Sequence, residues 1–208
     1  MTKKEEWLAG TRSAVPIMLG YVPVGIAYGV MARQAGLNTW QTVLMSLTVY
    51  GGASEMMAAG MVAQGAAVLT IVLTTFILNL RHIIMSTCVF NQMQGGRLPV
   101  RMLAAFGVTD ETFAVYTTTA NAPRTPRYFF SMALCSYLSW ALGSWLGAIA
   151  TGLLPPLITA ALGISLYAMF IGLLMPGLHG NGRLAALVVL TALCNTCLLY
   201  TSPSPRDS

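Results

Sequence analysis

The 208-residue chain is 56% hydrophobic and only 8% charged, with a formal net charge of +5 at pH 7. A soluble domain usually carries about a quarter charged residues, because its water-facing surface needs them. The low charge therefore excludes an ordinary soluble domain and predicts that most of the surface faces lipid. The basic residues stand in short clusters between apolar runs and form no basic stripe, which excludes nucleic acid as a partner.

The apolar runs predict an all-α, polytopic transmembrane helix bundle of about six or seven spans, at ~20 residues for each crossing. In chain order, the runs long enough to cross a membrane are residues 13–32, 40–63, 65–90, 129–152 and 157–175. Residues 184–199 form a run that is short for a span. The segment 102–120 is ambiguous because it holds Asp110 and Glu111, and it can cross the membrane, re-enter it or lie along its surface.

Kinked or broken helices are expected at two places. Pro16 and Pro23 lie inside the first run, and proline removes a backbone donor and clashes with the preceding turn. Gly51-Gly52 offers a second break near the middle of the run 40–63. The positive-inside rule leaves both orientations of the N-terminus open, because the ambiguous segment decides which basic residues share a side.

Residues 1–196 are expected to form a single transmembrane transporter domain. From Cys197 the chain reads Cys-Leu-Leu-Tyr-Thr-Ser-Pro-Ser-Pro-Arg-Asp-Ser, which breaks an apolar run and resembles a translated sequencing adapter. We interpret residues 197–208 as a non-native tail on a truncated C-terminal end and exclude them from fold reasoning.

Charged side chains inside apolar runs are the candidate functional residues. An ionisable group deep in lipid costs about 3 kcal/mol or more, so Glu55 and Arg81 are expected to face a cavity or a partner. An unbroken helical hairpin would leave these two at different depths, and an ion pair between them therefore requires a helix break. A polar stripe on one face of the third run consists of Thr75, Asn79, His82 and Ser86. This stripe predicts a polar cavity, with hydrogen bonding between helices as the alternative.

The sequence offers no convincing catalytic set. Gly52-Ala53-Ser54 faintly resembles an intramembrane serine protease, but a nucleophile needs an oriented base and oxyanion donors. The histidines are His82 and His179, and neither is placed beside Ser54 by the sequence. Metal-ligand clusters and phosphate-binding loops are also lacking in the sequence, so we expect no enzyme activity and no cofactor.

Four motifs together carry a family resemblance across about residues 10–195. They are Gly20-Tyr21-Val22-Pro23-Val24-Gly25, Gly52-Ala53-Ser54-Glu55, Leu78-Asn79-Leu80-Arg81-His82 and Val108-Thr109-Asp110-Glu111-Thr112-Phe113-Ala114. In these motifs the chain resembles the AzlC family, the large subunit of branched-chain amino-acid permeases and exporters. The resemblance implies export of branched-chain amino acids across the bacterial cytoplasmic membrane, proton coupling, and a small hydrophobic AzlD-type partner subunit. One departure is Glu55, where the family usually has Gln.

We therefore expect a secondary transporter of amino acids. The predicted substrate-binding residues are Arg81, Asn79, Ser54, Gly25 and Gly52, the glycines because a broken helix exposes backbone groups to a substrate. The predicted proton-coupling residues are Glu55, Asp110 and Glu111, because burial favours the protonated form of a carboxyl group, together with His82. A channel for a small polar solute, an intramembrane hydrolase using Ser54, and a scaffold subunit are the alternatives.

Overall fold

A computed structural model of the chain describes residues 2–96, 98–120, 122–153 and 182–201, together with single positions between 155 and 178. Within these residues the regular elements are α-helices, as the sequence predicts. The chain divides into two compact units, Met1–Met169 and Phe170–Ser208. Most of the predicted run at 157–175 lies outside the described residues, and so does His179. The total number of spans therefore stays a prediction.

The helices of the first unit are α1 (Lys3–Gln34), α2 (Thr39–Thr48), α3 (Gly52–Ala63), α4 (Val68–Asn79), α5 (Arg81–Gln92), α6 (Leu98–Phe106), α7 (Asp110–Thr118) and α8 (Pro126–Ala150). The second unit contains α9 (Gly182–Thr201). Three segments in the described chain are long and apolar enough to cross a membrane, namely α1, the α4–α5 segment Val68–Gln92, and α8. They correspond to the predicted runs 13–32, 65–90 and 129–152, which confirms those runs as long apolar helices.

Helix α1 continues through Pro16 and Pro23, so the expected break at these residues is wrong. A proline inside a helix removes one backbone hydrogen bond, and neighbouring helices in a membrane protein can offset that loss. Here α8 supplies the neighbour along most of the length of α1. The predicted exposure of backbone groups around Gly25 therefore does not occur by a break in this helix.

Small residues bring α1 and α8 into direct backbone contact. Gly25 lies against Gly143, where an added methyl group would be tight, and Gly29 lies against Gly147, where it would collide with the α8 backbone. Nearer the N-terminal ends, Tyr128 Oη donates a hydrogen bond to Ser13 Oγ at 2.7 Å. The N-terminal part of α1 thus contacts the N-terminal part of α8, so the two helices run parallel. Glycine pairs of this kind are the usual means by which membrane helices approach closely.

The α4–α5 segment runs opposite to α1 and α8. Just after α5, the Gln94 amide donates to the carbonyl oxygen of Arg124 at 2.7 Å, immediately before α8 begins. Arg127 at the start of α8 lies 3.6 Å from Glu6 near the start of α1. The C-terminus of α5 therefore lies with the N-termini of α1 and α8, at what we call the basic end. Leu80 has helical torsion angles, so α4 continues the direction of α5 and begins at the opposite end.

Helices α2 and α3 form a re-entrant hairpin. The α2–α3 hairpin begins just after α1 and ends in the turn before α4, and both points lie at the opposite end. Its tip is the break at residues 49–51, where Tyr50 has a φ of +46° and Gly52 packs on the ring of Trp140. The predicted span at 40–63 is therefore wrong, because the chain reverses at Tyr50.

Helices α6 and α7 form a second re-entrant hairpin from the basic end. Arg101 donates to the carbonyl oxygens of Met93 and Gly95, and Arg124 donates to that of Tyr116, so α6 starts and α7 ends beside α8. The tip of the α6–α7 hairpin is the break at residues 107–109. Of the three placements expected for the segment 102–120, the structure has re-entry.

The close contact of α1 and α8 leads to a stability prediction. Gly29→Ala should destabilise the protein by about 1–3 kcal/mol, because the added methyl group collides with the α8 backbone. Gly60→Ala is the matched control, since a methyl group there meets nothing within 4 Å. The control should be neutral or slightly stabilising, because alanine favours helix. Thermal unfolding of the two variants in detergent measures the difference, and equal melting temperatures would contradict the packing argument.

Candidate functional site

A cavity of about 430 Å³ lies between the α2–α3 hairpin and α4. Its apolar walls are Met45, Val49, Ala58, Ile71, Val72 and Phe76. Its polar groups are Thr48, Ser54, Glu55, Thr75 and Asn79. An apolar cavity with a few converging polar groups is the usual form of a small-molecule site.

The break in the α2–α3 hairpin creates this cavity. At the break, Gly51 lies against the side chain of Asn79 on α4, and Ser54 Oγ donates to the carbonyl oxygen of Gly51 at 2.8 Å. The N-terminus of α3 therefore faces the middle of the α4–α5 segment. Free backbone donors at a helix N-terminus favour negatively charged groups nearby.

Two polar atoms of the cavity have no hydrogen-bond partner within the described chain. Thr75 Oγ1 and Asn79 Oδ1 are both buried and unpaired. A buried polar atom without a partner costs about 1–3 kcal/mol. Both residues come from the predicted polar stripe, whereas its other members, His82 and Ser86, do not line the cavity. The site is therefore incomplete by itself and offers polar contacts to a ligand.

Glu55 is fully buried at the edge of the cavity and is held by three donors. Its carboxylate accepts from the Gly51 amide at 2.9 Å, from Ser46 Oγ at 3.1 Å and from Trp140 Nε1 at 3.3 Å. Ser46 Oγ also lies 2.6 Å from Ser144 Oγ, which connects the carboxylate to α8. Neither of the ion pairs found among the described residues includes Glu55.

Arg81 pairs with Asp110 and not with Glu55. The guanidinium Nη2 lies 2.9 Å from Asp110 Oδ2, and both side chains are about one-third exposed. Arg81 is the first residue of α5, and Asp110 is the first residue of α7. The ion pair therefore joins the α4–α5 segment to the tip of the α6–α7 hairpin, away from the cavity lining.

Glu111 forms a second buried carboxylate site at the tip of the α6–α7 hairpin. Tyr21 Oη donates to Glu111 Oε2 at 2.5 Å and lies 2.7 Å from Thr109 Oγ1. Thr109 caps α7, and its side chain and that of Thr112 bond to each other's backbone amides. The capping fixes the first turn of α7, so that Glu111 points to α1.

The structure brings only some of the predicted site residues together. Ser54, Asn79 and Glu55 line the cavity. Gly52 packs against Trp140, Gly25 lies in the α1–α8 contact, Arg81 pairs with Asp110, His82 follows Arg81 in α5, and Glu111 bonds to Tyr21. Their roles stay predictions. Within the described residues, no three His, Cys, Asp or Glu side chains are grouped as metal ligands.

Sequence reasoning missed three residues that hold the carboxylates. Ser46 and Trp140 lie in apolar runs where serine and tryptophan are ordinary, and nothing in the sequence indicates that they bond to Glu55. Tyr21 offered a signal, because it lies in the Gly20–Gly25 motif, but its partner Glu111 is distant in sequence.

Comparison with known proteins places the chain among membrane transport proteins. The AzlC protein family matches residues 16–154. An uncharacterized membrane protein of Archaeoglobus fulgidus is 33% identical over 89% of this chain and 82% of its own length. The inner membrane protein YgaZ of Escherichia coli is 28% identical over 95% of this chain and 83% of its own length. The branched-chain amino acid transport protein AzlC of Bacillus subtilis is 27% identical over 72% of this chain and 61% of its own length. No solved structure matches the chain.

The unpaired and the paired polar groups of this site should respond differently to substitution. Asn79→Leu should leave the thermal stability of the ligand-free protein unchanged or higher, because Asn79 Oδ1 makes no hydrogen bond. Ser46→Ala should lower stability by about 1–3 kcal/mol, because Glu55 and Ser144 both lose a partner. Differential scanning calorimetry of the purified variants measures both stabilities. An equal loss of stability in Asn79→Leu and Ser46→Ala would contradict the assignment of Asn79 to ligand binding.

Proposed function

The chain belongs to the AzlC family, and on this basis we propose that it transports branched-chain amino acids through the cavity between the α2–α3 hairpin and α4. The relatives support the substrate class and the membrane location, since one is a branched-chain amino acid transport protein and another is an inner membrane protein. The observation that carries it is the cavity itself, in which unpaired polar atoms stand opposite apolar walls.

The cavity suits an amphipathic amino acid. Its volume of about 430 Å³ lies at the lower end of the range for small-molecule sites. Thr75 and Asn79 offer hydrogen bonds to the polar head of the substrate. Ile71, Val72 and the remaining apolar wall residues surround the branched side chain. A charged or strongly polar side chain would find too few partners on this wall.

The basic residues set the proposed orientation. Those placed toward the basic end are Lys3, Lys4, Arg12, Arg101, Arg124 and Arg127, whereas Arg33 lies at the opposite end. Short loops rich in Lys and Arg remain in the cytoplasm. Because the α2–α3 hairpin does not cross the membrane, the positive-inside rule favours one orientation of the chain. The N-terminus is cytoplasmic, and the α2–α3 hairpin enters from the outside.

Export, proton coupling and a partner subunit complete the proposal. Glu55 carries the coupling proton, since it is buried beside the cavity and has no basic partner in the described chain. A small hydrophobic AzlD-type subunit accompanies the chain. Only 6% of the most apolar 18-residue stretch of the α4–α5 segment is buried, so this segment offers apolar surface to such a subunit.

The serine hydrolase alternative has little support. Ser54 Oγ donates to the carbonyl oxygen of Gly51, and within the part of the chain that the structure describes no histidine lines the cavity. A nucleophilic serine needs a base within hydrogen-bond reach. Membership of a transport family points in the same direction, toward a protein that is not an enzyme.

The proposal predicts saturable transport of leucine, isoleucine and valine in proteoliposomes. Ala58 lines the cavity, and Ala58→Val should reduce transport of isoleucine and leucine about tenfold or more relative to valine, because a hydrophobic pocket discriminates single methylene groups. Ala63→Val, at an exposed position of the same helix, is the control and should change nothing. Absence of saturable transport by the unaltered protein would refute the function.

Glu55→Gln separates proton coupling from substrate binding. The amide keeps the shape of the side chain but cannot exchange a proton. Transport driven by an imposed pH gradient should therefore be lost, while exchange of leucine across the membrane without a gradient persists. Glu5→Gln, at an exposed position in the first turn of α1, should retain both activities. Gradient-driven transport that survives Glu55→Gln would eliminate this residue as the proton carrier.

A further inference from the structure

The tips of the two re-entrant hairpins share a short sequence pattern. One tip reads Tyr50-Gly51-Gly52-Ala53-Ser54-Glu55, and the other reads Phe106-Gly107-Val108-Thr109-Asp110-Glu111. Each is an aromatic residue followed by glycine and, four residues after that glycine, by glutamate. Aligned in this way, Glu55 corresponds to Glu111, and both are buried carboxylates in the first turn of the returning helix.

The two tips occupy equivalent places in the fold. The rings of Tyr50 and Phe106 meet at a centroid distance of 5.9 Å. Gly51 lies against Asn79 of the span that follows the α2–α3 hairpin, and Gly107 lies against Ala133 of the span that follows the α6–α7 hairpin. One hairpin enters from each end, and the spans that follow them run in opposite directions.

Each tip is also held by the span of the other half. Trp140 of α8 donates to Glu55 in the α2–α3 hairpin. Arg81 of α5 pairs with Asp110 in the α6–α7 hairpin. Trp140 and Arg81 both lie near the middle of their spans. This exchange of contacts is what a two-fold axis in the plane of the membrane produces, as in transporters built from inverted repeats.

The two halves differ in one respect that bears on transport. The α2–α3 hairpin borders the cavity of about 430 Å³ with its polar groups. The corresponding pocket between α6 and α8 measures about 230 Å³ and is lined mainly by apolar groups, among them Phe106, Ala133 and Tyr137. The tip of the α6–α7 hairpin is held by an ion pair in addition to the hydrogen bonds of Tyr21, whereas the tip of the α2–α3 hairpin is held by hydrogen bonds to Glu55.

We propose that α2–α5 and α6–α8 are inverted repeats and that the Arg81–Asp110 ion pair holds the α6–α7 hairpin closed while the cavity beside the α2–α3 hairpin is open. Release of the ion pair weakens the attachment of the α6–α7 hairpin, which then opens the site toward the basic end as the α2–α3 hairpin closes. Arg81 is thus a positioning residue for a gate. The inference extends the proposed transport function, but it concerns gate movement and can be measured without a substrate.

The test is thiol labelling of both tips in the full chain with Cys88, Cys135, Cys194 and Cys197 changed to serine. Val108→Cys reports on the α6–α7 hairpin, where Val108 is buried, and Val49→Cys reports on the cavity. Adding Arg81→Ala should raise maleimide labelling at 108 by up to about fivefold, the upper end of the range for loss of a partly exposed ion pair. Labelling at 49 should fall in the same variant.

Two controls make the result specific. The exchange R81D with D110R should restore the labelling of the unaltered protein, because the ion pair is rebuilt in reverse. Arg127→Ala, which removes the other ion pair with Glu6, should leave both reporters unchanged. If Arg81→Ala fails to fold, Asp110→Asn breaks the same pair with a smaller change.

The outcomes are distinct. Opposite changes at 108 and 49 support the proposal. Increased labelling at both positions shows general loosening and overturns it, and unchanged labelling overturns it as well. Because no amino acid is added, a failure of the proposed substrate leaves this result valid, and unchanged labelling in a protein that transports leucine refutes only the gate.

Discussion

The backbone contact between α1 and α8 is the interaction on which the rest of the structure depends. Glycine in both helices removes the side chains that would hold them apart, so the two spans form one parallel pair. Each hairpin tip then rests on this pair through one aromatic residue. Tyr21 of α1 holds the α6–α7 hairpin, and Trp140 of α8 holds the α2–α3 hairpin. Each buried carboxylate therefore takes one of its donors from this pair.

Much of the helical architecture could be predicted from the sequence, because long apolar runs have few alternatives to helix in lipid. The reversal of the α2–α3 hairpin could not. A hairpin of two short apolar helices has about the same length and hydropathy as one span, since both need ~20 residues. The reversal depends on the left-handed backbone of Tyr50 and on the direction of the α4–α5 segment. That direction is set by contacts between helices that are distant in sequence.

The candidate site was predictable to a similar extent. Thr75 and Asn79 share one helical face and line one cavity, as their spacing indicates. The partner of Arg81 was not predictable, because Asp110 reaches it only through the re-entry of the α6–α7 hairpin. The sequence places both Arg81 and Asp110 in apolar runs, but it does not indicate how deep in the membrane Asp110 lies. The hydrogen bonds that hold Glu55 come from residues without any distinguishing pattern.

The torsion angle of Tyr50 makes the two hairpins energetically unequal. A left-handed conformation costs a residue other than glycine about 1–2 kcal/mol, and Phe106, the counterpart of Tyr50, has no such angle. In a protein with two exchanging conformations, a difference of about 1 kcal/mol changes their ratio about fivefold. If Tyr50 relaxes when its hairpin moves, the resting distribution of inward-facing and outward-facing molecules is set partly by a single peptide unit.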